Sequence, residues 1–206
     1  HVGGLVGYNG GGIFISCYTA SSVFGGSGVG GLVGSSNDGM LSSCYTTGAV
    51  GGYGQIGGML GNNIKGTISS CYATGTVGGE YHSVVVGGLV GYNNDGAISS
   101  CYTAGNIGGS ADVGGLVGYN LYGTISFCYA LGEVKASGSC NYGIGGLCGE
   151  NFNGTISSCY AIGNINGHDH LGGLVGNNDG GTVSSCYATG AVSGFSFVGG
   201  LVGYQY

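Results

Sequence analysis

The sequence predicts an all-β fold, a right-handed parallel β-solenoid of about 27 residues per coil, about three short strands per coil and seven to eight coils. Three observations carry that prediction. A glycine-rich motif recurs at near-constant spacing. Residues at fixed offsets from it are of one kind in every repeat. Val, Ile, Tyr and Thr fall in short runs between glycines, and no run has helical periodicity with caps.

The motif is clearest at Val113-Gly114-Gly115-Leu116-Val117-Gly118-Tyr119-Asn120. Its first glycine recurs at Gly3, Gly30, Gly57, Gly87, Gly114, Gly145, Gly172 and Gly199, in steps of 27, 27, 30, 27, 31, 27 and 27 residues. The extra residues fall in one phase, near 79–85 and 136–143, which places both insertions in one loop on one side of a stack. Residues 1–206 are read as a single repeat domain. The chain opens in mid-motif at His1-Val2, as expected of a trimmed product or a segment of something longer.

Composition narrows the function classes. Glycine supplies 54 of 206 residues without a Gly-X-Y triplet, which excludes collagen, and the fixed apolar phases exclude a flexible linker. The net charge is −6 and only Lys65 and Lys135 are positive, which argues against nucleic acid and against a polybasic membrane anchor. No apolar run is long enough to insert into and span a bilayer.

Within a repeat the first strand ends on a glycine such as Gly91, and the second is opened by one such as Gly96. In the fourth repeat the three expected strands are 86–91, 97–103 and 106–108. Between the first two, a turn is expected to hold Asn9, Asn63, Asn93, Asn120, Asn151 and Asn178. Stacked in register, their amides can hydrogen-bond along the rod. Leu and Val of each motif are adjacent, so one faces outward unless the backbone turns there. An outward row would mark a contact stripe.

Fourteen residues after each motif glycine comes a cysteine: Cys17, Cys44, Cys71, Cys101, Cys128, Cys159 and Cys186. The row reads as small apolar core residues, with disulfides between rungs or metal binding as the sharper alternatives. No histidine recurs beside it, and no metal or cofactor is expected. An apolar residue three before each cysteine and another six after it have opposite parity; a bend at the serine pair, such as Ser99-Ser100, would reconcile them. Cys140 and Cys148 belong to the aberrant fifth repeat and its neighbour, which suggests a local disulfide.

A tyrosine follows each ladder cysteine: Tyr18, Tyr45, Tyr72, Tyr102, Tyr129, Tyr160 and Tyr187. Parity with the buried cysteine turns this row outward, where it could stack on sugars or on another rod. The plainer reading is a half-buried aromatic stack that stiffens the rod. His168-Asp169-His170 could hold a metal, or sit in a solvated loop. Asn153-Gly154-Thr155 is a lone glycosylation sequon. Asp38 and Asp95 lie in non-adjacent coils, so they are no acid–base pair. Gly25 to Gly31 has no following helix to make a phosphate site. The threonine row is broken at Leu131 and Ile162, against a regular ice-binding face. Two lysines and eight acids, read as dispersed, argue against a polysaccharide-cleaving enzyme.

Residues 113–119, Val-Gly-Gly-Leu-Val-Gly-Tyr, and 184–190, Ser-Ser-Cys-Tyr-Ala-Thr-Gly, resemble the GLUG-motif repeat, and the resemblance runs along the whole chain. That resemblance implies a secreted bacterial surface protein of the filamentous-haemagglutinin-like adhesin kind, in which the repeat is usually the stalk. Some immunoglobulin-A-specific peptidases also carry it, but no His-Glu-x-x-His is present here. The expectation is a non-enzymatic extracellular structural protein that self-associates end to end, with lateral contact as a further mode. The alternative is an adhesin or glycan-binding module using the tyrosine row.

Overall fold

Each coil bends at places where two apolar neighbours must both face inward, and those bends set the architecture. The computed structural model describes residues 1–78, 83–137 and 142–206. They form a parallel β-solenoid without helix, built from 37 short strands in five parallel sheets. The expected three strands per coil are in fact five. In the fourth coil these are Val84–Gly87, Val90–Asn94, Ala97–Ser99, Tyr102–Thr103 and Ile107–Gly109. We call the sheets they belong to the motif, asparagine, serine, tyrosine and valine sheets, in that order. The first two contain eight strands and the other three seven.

The extra divisions have a common cause. The motif breaks between Gly87 and Val90, so Leu89 and Val90 both enter the core instead of facing opposite sides. No outward apolar row forms there in the interior coils. The long strand expected over 97–103 breaks at Ser100, which adopts the left-handed region at φ 54°. The same bend recurs at Ser16, Ser43, Ser70, Phe127, Ser158 and Ser185. It turns Ile98 and Cys101 to the same interior despite their opposite parity.

Register is uniform from coil to coil: Val86 lies beside Val113, Asn93 beside Asn120, Ile98 beside Ile125 and Tyr72 beside Tyr102. Layers are therefore about 4.8 Å apart, the strand spacing. Both insertions fall between the valine sheet and the next motif strand, with described flanks at Gly78 and Ser83, and at Ser137 and Tyr142.

Two apolar clusters run along the axis. One gathers the Leu, Val, Ile, Cys and Ala columns of the asparagine, serine and tyrosine sheets. The other gathers Val and Ile from the motif and valine sheets. The second motif glycine runs between them. A Cβ on Gly115 would collide with the Gly146 carbonyl of the next coil and stand 2.9 Å from the Ala130 methyl, so no side chain fits.

Candidate functional site

The regular layers pile like residues into rows, and three of these rows carry the chemistry. The asparagine row is not in a turn, as expected, but near the end of its strand and fully buried. Asn63, Asn93, Asn120 and Asn151 have no exposed surface. The left-handed turn comes two residues later, at Lys65, Asp95, Tyr122 and Asn153. Each amide nitrogen donates to the next amide oxygen: Asn63 to Asn93 at 2.8 Å, Asn93 to Asn120 at 2.7 Å, Asn120 to Asn151 at 2.8 Å and Asn151 to Asn178 at 2.6 Å. Each also donates to the glycine carbonyl three residues on, as Asn93 does to Gly96 at 3.0 Å. The row ends by donating from Asn178 to Gln205 at 2.8 Å. It is interrupted once, at Ser36, which accepts from Asn9 at 3.0 Å. The Asn63 oxygen beside that break has no hydrogen-bond partner.

The seven ladder cysteines are free thiols. Five are buried, and Cys17 and Cys186 in the outer coils are half-buried. They do more than fill space. Cys101 donates to the Ser99 carbonyl at 3.1 Å, and its sulfur accepts from the Cys71 backbone amide at 3.4 Å. That contact repeats from Cys44 to Cys186 and satisfies the amide that the serine bend removes from the sheet. Burial pushes the Cys44 and Cys186 thiols up, away from the reactive thiolate. Cys148 is a buried free thiol that donates to the Glu150 carbonyl at 3.2 Å. Its expected partner, Cys140, lies outside the described residues. No cluster of metal-ligating side chains occurs among the described residues.

The tyrosine row faces outward as one uninterrupted stack. Ring centroids are 4.9 to 5.1 Å apart and adjacent planes differ by 2 to 10° from Tyr18 through Tyr187. The rings of Tyr45, Tyr72, Tyr102, Tyr129 and Tyr160 cover one another's faces and leave their edges at the surface. Only Tyr18 and Tyr187 keep a face clear of a neighbouring tyrosine.

A fourth feature is invisible in the repeat pattern. The outer column of the asparagine sheet runs Tyr92, Tyr119, Glu150, Asn177 and Tyr204. Beside it runs a left-handed column that includes Asp112, Gly143, His170 and Phe197. Acids that look dispersed in sequence converge here. Burial and the nearby Glu150 charge push the Asp112 carboxyl up to about 7. Burial also raises Glu150, opposed by the Asn177 amide and reinforced by Asp179. Of His168-Asp169-His170, the last two open a motif strand, Asp169–Gly172, and His168 is the bend residue before it. Ser196, then His168 at 2.9 Å, hold the Asp169 carboxyl below its usual range. His170 stacks on Tyr204 at 4.9 Å and 11°.

No curated protein and no solved structure resembles the chain closely enough to count as a match. The family described as the GLUG motif matches three consecutive repeats, at residues 109–135, 141–166 and 167–193. Each matched stretch spans about one coil of the solenoid, and the same columns continue through the coils on either side. In these three coils the chain is similar to GLUG-motif repeat proteins.

Proposed function

We propose that the chain is a non-enzymatic structural rod of a secreted protein, and that it associates end to end through the open edges of its outermost layers. The supporting observation is the uniform parallel register: each described layer presents to the next the same columns that it receives, so a further parallel layer fits without a change of pattern. GLUG repeats occur in extracellular surface proteins, which supports the extracellular setting. The tyrosine row fits stiffening better than sugar stacking, because all but its outer two rings have both faces occupied.

Electron microscopy and solution sizing across a range of concentrations test the reading. Filaments or discrete end-to-end oligomers are expected. Compact monomers at high concentration would reject end-to-end association.

A further inference from the structure

We propose that the corner formed by Glu150, His170, Asn177, Asp179 and Tyr204 is a binding site for an organic cation, a guanidinium or primary ammonium group. A cleft of about 280 Å³ opens there, lined by these residues with Asn178 and Tyr206. That suits a head group of a few heavy atoms rather than a drug-sized ligand.

Its polar lining leaves an acceptor without a donor. The Asn177 amide oxygen is buried without a hydrogen-bond partner, and so is the His170 Nδ1, which accepts in the tautomer protonated at Nε2. Glu150 and Asp179 add carboxylates, and neither lysine of the chain lines the cleft. Buried acceptors and carboxylates of this kind are costly until a donor or a positive charge meets them. A guanidinium or ammonium brings both in one group.

The walls decide between an organic and an inorganic cation. His170 and Tyr204 lie stacked, and Phe197 stands edge-on to both, at 4.8 and 5.4 Å. Aromatic faces beside carboxylates favour a cation that carries carbon or a planar π system. A bare metal ion needs several converging ligands, and the described residues hold no such group. The site occurs once because its residues replace the usual column. Glu150 and Asn177 stand where Tyr92 and Tyr119 stand in earlier coils, and Gly143 precedes His170 where other coils carry Val85 or Asp112.

The test is a titration of the whole chain at neutral pH and low salt, followed by NMR of the His170 and Asn177 side chains. The probes are arginine amide, n-butylammonium, a Gly-Arg-Gly peptide and calcium chloride. Saturable shifts with arginine amide or butylammonium in the millimolar range or tighter are expected, about −4 kcal/mol or better. Tighter binding of the peptide identifies an arginine side chain of a partner as the source, and equal binding identifies a free small cation. Glu150→Gln and Asp179→Asn are each expected to weaken binding about tenfold, the loss of one charge-assisted hydrogen bond. Tyr102→Phe, in the ring row, leaves binding unchanged. No saturable shift at about 10 mM probe, stronger binding of calcium, or full affinity in both charge variants with unchanged circular dichroism would overturn the proposal.

Discussion

The uniform rows and the places where a row changes residue behave as two different materials. In the asparagine row from Asn93 to Asn178, every amide oxygen receives a proton from the layer before it. Four buried polar atoms lack a partner among the described residues: the amide oxygens of Asn62, Asn63 and Asn177, and His170 Nδ1. All four stand at a break. Asn63 adjoins Ser36, Asn62 lies between Ser35 and Tyr92, Asn177 between Glu150 and Tyr204, and His170 between Gly143 and Phe197. Repetition satisfies polar groups automatically, because each layer presents the complement of its neighbour. A substitution in one layer strands the groups above and below it. Breaks are thus where cost, and any recognition, accumulates.

The largest test is to create a break inside a uniform row. Asn93→Leu removes the links at 2.8 and 2.7 Å and the 3.0 Å bond to the Gly96 carbonyl, which keeps the Thr124 amide, and it strands one N–H of the Asn63 amide and the Asn120 oxygen. Two stranded groups should cost roughly 3 to 5 kcal/mol, read as a lower urea midpoint with the solenoid otherwise intact.

The acidic corner gives a pH signature that uniform rows lack. The Asp112 carboxyl moves from an ordinary 3.8 up to about 7 in the folded chain. Between those values the folded state holds the proton and the unfolded chain does not. Stability should therefore fall as pH rises through that window, by at most about 4 kcal/mol, and level off above it. Asp112→Asn should flatten the slope, measured by urea midpoints from pH 4 to pH 8.

The smallest test mends a break. Ser36→Asn supplies the donor that the Asn63 oxygen lacks and an amide acceptor for Asn9, with Gly39 already at the position the other coils use. A gain of about 1 kcal/mol in unfolding free energy is expected. No gain would mean that the added amide does not reach the Asn63 oxygen.

Coil length, parallel register and the three rows are legible in the sequence because each depends on residues that recur at one phase. The parity conflict around the cysteine even locates the serine bend, and Ser100 lies there in the left-handed region. Strand number was less legible. Three strands fit the glycine punctuation, but Leu89 and Val90 can both be buried only if the coil is divided further. The asparagines look like turn residues because they precede a turn; their burial follows from facing inward two residues earlier. The acidic corner leaves no trace in the pattern. Glu150 and Asn177 are exceptions to a tyrosine column, Asp112 and His170 stand in a column with no recurring residue, and a reading built on recurrence passes over both.

The position of the two insertions has a practical consequence. The chain twice lengthens a coil between the valine sheet and the motif sheet, yet Val77 still lies beside Ile107 and Val84 beside Ala111. Register is thus insulated from what happens at that junction. A foreign peptide grafted there in another layer, between Ile165–Asn166 and Asp169–Gly172 for example, meets a scaffold already tolerant of added length. Closing a loop costs only about 0.6 kcal/mol more for each doubling in length. Grafts at the same junction of successive coils would be presented as a ruled array, one copy about every 4.8 Å.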